Sequence, residues 1–301
     1  MKIPQHPNQG TETQCQEVPI TFPPQQQDVQ PGLEHLMNPQ PIADNPSYIG
    51  SDKLEGKVAI ITGGDSGIGR AVAIGFAKEG ANMVITYVPH ERADAEKTKQ
   101  LVEEYGQQAI IIAGDLKDRA FSEEVVKLTM GQFNAIDTLV LNQAVQYPQQ
   151  SITDITDQQL DTTYRTNIYP FFYMTQAALP HMKKGSTIIS TASITAYEGN
   201  PQLLDYSTTK GAIVTFTRSL SLQLAGKGIR VNAVAPGPIW TPLIVSSFTP
   251  DKVKHFGADT PMKRAGQPFE LAPTYIYLAS DDSSYVSGQV LHVNGGTIVG
   301  S

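Results

Sequence analysis

Residues 58–70 read VAIITGGDSGIGR. A β-branched apolar run, Val58–Ile61, passes straight into a loop with glycines at 63, 67 and 69. A helical pattern, Gly67–Lys78, follows at once. Gly63 permits a tight turn at the end of the strand. Gly67 lets backbone approach a phosphate with no Cβ in the way, and Gly69 lets the new helix pack close to the sheet. The helix start offers free N–H groups and a positive dipole end to an anion. Asp65, Ser66 and Ile68 complete the loop. Glycines alone also mark ordinary turns, but between a strand and a helix they predict a pyrophosphate cradle.

The same alternation continues outward from that loop. Further β-branched runs stand at Met83–Thr86, Ala109–Ile112, Thr138–Leu141, Thr187–Ile189, Val231–Val234 and Val290–Val293. Helical stretches lie between them at Arg92–Tyr105, Arg119–Met130, Gln158–Lys183, Tyr206–Leu224 and Glu270–Ala279. Near-continuous apolar strands separated by helices predict an α/β fold: a single doubly wound Rossmann domain, its seven-stranded parallel sheet covered by helices on both faces. The ligand then sits beyond the carboxyl ends of the strands.

Residues 1–50 differ in kind from residues 51–301. They hold nine of the 21 prolines, nine glutamines and a net charge of −4 out of the chain's −7 (Lys2 against Glu12, Glu17, Asp28, Glu34 and Asp44). Proline removes donors and favours extended chain. Residues before about Pro31 are expected to have no fixed structure. Pro31 to Ile49, with Leu33, Leu36, Met37, Ile42 and Tyr48, can lie as an arm across the main domain or a neighbouring subunit. The whole segment reads as a Pro/Gln-rich extension, partly disordered or an arm, ahead of a catalytic domain at 51–301.

Composition narrows the function. The chain of 301 residues is 40% hydrophobic, enough for a sizeable core, and its negative charge argues against nucleic acid as a partner. No apolar run reaches the ~18 residues of a membrane span, so no membrane association is expected. Cys15 is the single cysteine, which excludes an intrachain disulfide and a thiolate metal site and fits a reducing compartment. The N-terminus lacks an apolar signal core. A cytoplasmic protein without a metal is expected.

Ser193, Tyr206 and Lys210 stand in STASITAYEGNPQLLDYSTTK. Tyr206 and Lys210 are i and i+4, so on a helix both project from one face. A phenol with a pKa of about 10 exchanges protons poorly at neutral pH. An ammonium held beside it favours the phenolate, which makes Tyr206 a candidate acid/base. Ser193 follows the strand Thr187–Ile189, where its hydroxyl can hold a substrate oxygen.

The G-x-x-x-G-x-G spacing with Thr62 before it, the 13-residue step from Ser193 to Tyr206 and the Y-x-x-x-K step together resemble the short-chain dehydrogenase/reductase family. The resemblance runs from about Lys53 to the C-terminus. It implies that Tyr206 exchanges a proton with substrate, Lys210 holds the nicotinamide ribose, and Ser193 orients the carbonyl or alcohol. Asn167 resembles the fourth catalytic member, with a helical kink near Pro170 as the competing reading. Asp115-Leu116 resembles the adenine contact, with a helix cap as its alternative. After the fourth strand the family usually reads N-N-A-G. Here Leu141-Asn142-Gln143-Ala144 keeps Asn142 and Ala144 as cofactor neighbours. Pro236, Gly237, Ile239 and Thr241 resemble the family's grip on the nicotinamide carboxamide. Gln146, Ile194 and Glu198 join Ser193 and Tyr206 at the substrate end, under a lid at 242–268.

The cofactor signals conflict. Tyr87 stands where NAD-preferring relatives carry Asp. No basic residue lies between Gly64 and Gly67, while Arg70 and Arg92 are close by. NAD or NADP is expected, with a slight lean to NAD. The D-S-G-I-G loop, Q-Y-P-Q-Q, A-P-G-P-I-W-T-P and the Pro/Gln leader resemble a bacterial subgroup related to glucose/ribitol dehydrogenases. The expected function is NAD(P)-dependent interconversion of a small-molecule alcohol and a carbonyl by a homotetramer. The alternative is a catalytically silent cofactor-binding sensor or scaffold.

Overall fold

The computed structural model describes residues 11–13, 17–19 and 21–300. Strands β1 (Thr11–Thr13) and β2 (Glu17–Pro19) pair antiparallel. Cys15 and the rest of residues 1–20 lie outside the described residues.

The main body alternates strand and helix in the order β3 (Val58–Thr62), α1 (Gly67–Lys78), β4 (Asn82–Tyr87), α2 (Arg92–Glu104), β5 (Ala109–Ala113), α3 (Arg119–Phe133) and β6 (Thr138–Leu141). It continues with α4 (Asp157–Asn167), α5 (Tyr169–Ala178), β7 (Thr187–Thr191), α6 (Thr195–Glu198), α7 (Leu204–Leu224) and β8 (Arg230–Pro236). Helices α8 (Pro242–Val245), α9 (Pro250–Lys254) and α10 (Ala272–Ala279) precede the last strand, β9 (Val290–Val293). The seven strands of the main sheet lie in the order β5-β4-β3-β6-β7-β8-β9. Every pairing is parallel. The winding reverses between β3 and β6, and the crevice of a doubly wound sheet opens at that switch point.

The strands are apolar on both faces because each face has helices to cover it. Ile60 joins Val125, Phe171, Met174 and Ile213 in one core. Its neighbours Ala59 and Ile61 point the other way, onto Val72, Phe76 and Ile276. The single helix predicted over Gln158–Lys183 is in fact two. Ile168, at φ −122°, leaves the helical region between α4 and α5. Pro170, just inside α5, has no N–H to carry the ladder across the break.

The expectation of no fixed structure before Pro31 does not hold for residues 21–30. Phe22 stacks on Trp240 with ring centroids 3.8 Å apart and planes 7° from parallel. Both are buried in a third core with Met37, Ile244, Val245 and Val253. Burying an aromatic ring of this size contributes about 2–3 kcal/mol. The Trp240 Nε1 donates to Pro39 O at 3.0 Å, and Lys78 Nζ to Asn45 O at 2.8 Å. Residues 21–50 thus form an arm laid along the domain.

Candidate active site

Thr62, the last residue of β3, accepts from the Asn142 amide N–H through its hydroxyl at 2.9 Å. Asn142 Nδ2 donates to Gly63 O at 3.0 Å, and Thr191 Oγ1 donates to Asn142 Oδ1 at 3.1 Å. These bonds tie together the carboxyl ends of β3, β6 and β7. Gln143, in place of the family's Asn, bonds the Thr62 hydroxyl and donates to Thr166 O at 3.3 Å. A cavity of about 380 Å³ opens above this knot.

Gly63, Asp65, Ser66, Gly67 and Ile68 line the cavity from α1. Gly67 has φ +51°, and a Cβ there would stand 3.1 Å from Thr241 Cγ2. Gly69 lies behind the wall, where a Cβ would meet Gly63 O at 2.1 Å; it sets the packing of α1 on the loop. One expectation fails here. The Gly67 N–H is not free for an anion, because it donates to Glu34 Oε2 of the arm at 2.6 Å.

Ser193, Ile194, Gln146 and Glu198 line the opposite end with Tyr206 and Lys210. Lys210 Nζ stands 5.4 Å from the Tyr206 ring centroid and donates to Thr191 O at 2.8 Å. Burial pushes the Tyr206 phenol up to about 12, against a hydrogen bond from Ser193 that works the other way. Burial holds Lys210 down at about 7. Burial thus favours the neutral form of each group, the phenol of Tyr206 and the free amine of Lys210.

Asn167 does not line the cavity. Its amide bonds the Val145 backbone twice, at 2.9 Å each way, and reaches Thr209 Oγ1 at 3.2 Å. It clips the loop after β6 to α7, at the helix break the competing reading foresaw. Asp115 is exposed and turns back onto the Lys117 N–H at 2.9 Å. Asp118, not Asp115, caps α3. Asp115 nonetheless lines the cavity, as do Leu116, Tyr87, Asn142, Ala144, Pro236, Gly237, Ile239 and Thr241.

A family model described as Enoyl-(Acyl carrier protein) reductase matches residues 63–297. An uncharacterised oxidoreductase of Bacillus subtilis is 62% identical over 93% of this chain and 97% of its own. The glucose and ribitol dehydrogenase of Daucus carota is 55% identical over 92% and 97%. Among solved structures, a short-chain dehydrogenase of Burkholderia cenocepacia in complex with NADP superposes with a TM-score of 0.73 at 27% identity, covering 81% of this chain and 98% of that one. A 3-ketoacyl-(acyl-carrier-protein) reductase of Brucella melitensis complexed with NADH has the same score and coverage at 31% identity. The chain belongs to the short-chain dehydrogenase/reductase family. It is an NAD(P)-dependent oxidoreductase.

The residues present fit a dinucleotide held across this short-chain dehydrogenase/reductase cleft. The glycine wall has no side chains to fill it, and Asp65 Oδ2 is buried without a partner. Glu91, on the turn after β4, escaped sequence reading. Glu91 folds back to accept from the Val88 N–H at 3.2 Å. Burial and the neighbouring Asp65 charge push it up to about 9, and burial raises Asp65 to about 6. Arg70 is engaged by Glu34, by Asp65 O at 2.8 Å and by Thr98 Oγ1 at 2.8 Å. Arg92 is exposed and faces Glu96.

Asp205 also escaped notice. It accepts from the Tyr206 N–H at 2.9 Å, from Thr163 Oγ1 at 2.8 Å and from Gln159 Nε2 at 3.0 Å. It pins the start of α7 and so aims Tyr206. The one available signal was an acidic residue in the first turn of a helix. Among the described residues, no helix is long and apolar enough to cross a membrane.

Proposed function

We propose that this oxidoreductase interconverts a small alcohol and its carbonyl, with Tyr206 as acid/base, Ser193 as the orienting hydroxyl and NAD as the preferred cofactor. The observation that carries this reading is the convergence of Ser193, Tyr206 and Lys210 with the glycine loop on one cavity. When bound, the nicotinamide accepts or supplies the hydride. In the oxidative direction Ser193 Oγ and Tyr206 Oη hold the substrate hydroxyl. The Lys210 ammonium stabilises the Tyr206 phenolate, which takes the substrate proton and becomes the phenol. Asp205 and Asn167 hold the backbone on which these groups sit. Gly63, Ser66 and Ile68 carry the pyrophosphate, and Gly67, without a Cβ, leaves room for it. Asp115 and Leu116 flank the adenine, and Tyr87 the ribose. Ala144, Asn142, Pro236, Gly237, Ile239 and Thr241 face the nicotinamide end.

The lean to NAD rests on Asp65 and Glu91. The Asp65 carboxylate disfavours a ribose phosphate beside it, Glu91 is held in its neutral form by burial and by the Asp65 charge and offers such a phosphate no cation, and Arg70 is not available to offset this. Gln146, Glu198, Asn200 and Asp259 share the substrate end with Phe248 and Phe256. That mixture suits a compact polyhydroxylated substrate with one apolar flank, and the glucose and ribitol dehydrogenase name of a relative agrees with it. A homotetramer in the cytoplasm completes the proposal, and light scattering would return a tetrameric mass. The sensor reading draws no support, since the three reactive side chains all stand in the cleft.

The test is turnover with NAD⁺ and NADP⁺ against sugars, polyols, simple alcohols, aldehydes and ketones, with Tyr206→Phe alongside. Activity should appear with polyols, fall sharply in the variant, and favour NAD⁺ about tenfold or more in kcat/KM, the equivalent of about 1.4 kcal/mol. Equal activity in both proteins removes Tyr206 from the chemistry. A preference for NADP⁺ overturns the role given to Asp65 and Glu91.

A further inference from the structure

The arm crosses the mouth of the cleft at residues 30–35 and touches each of its walls. The Gln30 side chain pairs with the Gln146 backbone as a neighbouring strand would. Its Nε2 donates to Gln146 O at 2.5 Å, and its Oε1 accepts the Gln146 N–H at 3.1 Å. The same Nε2 donates to Ser246 O at 3.2 Å, just past α8. Pro31 and Gly32 line the cavity itself. Pro31 O lies 3.0 Å from His90 Nε2, on the turn after β4. Gly32 passes so near α8 that a Cβ would stand 2.6 Å from Pro242 O. Glu34 then accepts the Gly67 N–H and pairs with Arg70, while the N–H groups of Glu34 and His35 donate to Asp94 at 2.8 and 3.0 Å.

We propose that Gln30–Glu34 is a clasp over the cofactor cleft, with Gln30 and Glu34 as positioning residues that set how fast the nicotinamide cofactor exchanges. The proposal rests on reading the cleft as the cofactor site. A dinucleotide reaching from the glycine loop to Tyr206 lies beneath a segment joined to both long walls. It leaves only when one end of that segment lets go.

The two ends differ in strength. The Gln30 end is held by neutral hydrogen bonds, part of them open to water. The Glu34 end is a buried carboxylate on a guanidinium and a backbone N–H, and charge-assisted bonds are about twice as strong as neutral ones. The clasp therefore hinges at Glu34 and opens at Gln30. Opening at Gln30 also frees Gln146 and Ser246 together, so substrate loop and lid are released in the same event.

The experiment is stopped-flow release of NADH from the full-length protein, read by nucleotide fluorescence, with single-turnover hydride transfer on the same samples. Gln30→Ala removes the latch. Gly32→Ala drives a methyl group against Pro242 and lifts the segment without touching a charge. Both should release NADH about tenfold faster, the equivalent of one or two net hydrogen bonds. The cofactor KM should rise, and the hydride step should stay within about twofold of wild type. Glu34→Gln should lower the melting temperature more than it speeds release. Should Gly32→Ala fail to fold, Gln30→Ala alone decides. Release within twofold of wild type in well-folded variants overturns the clasp. A slower hydride step with unchanged release also overturns it, and assigns the segment to substrate alignment. A wild-type protein that binds no NADH overturns the cleft reading and the clasp together.

Discussion

Helix α7 and the N-terminal arm close the same cleft by opposite means. Helix α7 brings Tyr206 and Lys210 together through one turn of regular geometry, and both are buried without an opposing charge. Across the cleft the arm is irregular up to one short 3₁₀ turn, Glu34–Leu36. It is held by partners far away in sequence: Trp240 for Phe22, Gln146 for Gln30, Arg70 for Glu34. The helix side stores reactivity, because burial without compensation shifts pKa values. The arm side stores cohesion, because Gln30 and Glu34 are each bonded to more than one distant segment. Damage to the first should remove chemistry and spare the fold, and damage to the second should do the reverse.

Tyr206→Phe tests the first half with the largest effect. Loss of the acid/base should lower kcat about 10³-fold, within the usual range for general acid–base catalysis. The melting temperature should move little, since the ring and its packing stay. A large drop in melting temperature would erase the contrast.

Glu34→Ala tests the second half. It leaves the Gly67 N–H without its acceptor and removes one of the two carboxylates on the buried Arg70, the other being Asp94, a loss of about 1–3 kcal/mol. Equilibrium denaturation should show it as a lower midpoint. A loss below about 1 kcal/mol would mean that the arm's charge is ornamental.

Phe22→Ala sharpens the comparison, because it cuts the arm at its far end. Truncating a buried Phe costs about 3–5 kcal/mol. Hydrogen exchange should quicken over residues 21–50 and stay unchanged in α7. Uniform acceleration through α7 would show that the two regions unfold as one.

The smallest effect is the pH slope from Lys210. Its folded pKa of about 7 lies below the ordinary value of 10.5, so the unfolded chain binds more protons between those values. Stability should therefore rise with pH above 7, by at most about 1.4 kcal/mol per unit. Lys210→Met should flatten that rise. An unchanged slope in the variant would show that the burial of Lys210 does not set the protein's pH response.

What the sequence discloses follows the same division. The seven strands, the glycine loop and the Ser193–Tyr206–Lys210 set were legible because each depends on neighbours within a turn or a strand. The break at Ile168 was half legible: Pro170 pointed to it, but the continuous pattern over Gln158–Lys183 concealed it. Glu91 was not legible as part of the adenosine end, since it reaches Val88 only through a local fold-back. The arm before Pro31 was least legible. Its prolines and glutamines read as solvated chain, and the short alternation Val18, Ile20, Phe22 does not by itself announce a docking site. Only the distant Trp240 makes that ring a core residue.

The stacking of Phe22 on Trp240 also orders the chain's assembly in time. The arm is synthesised before the body it docks on, and the Trp240 side chain that bonds Pro39 lies 201 residues downstream. At about 5–20 residues per second, roughly 10–40 s pass on the ribosome before Pro39 has that partner. The arm's proline-rich, strongly polar composition keeps it from adhering to the half-made sheet in that interval. A segment made early is thus among the last to find its place.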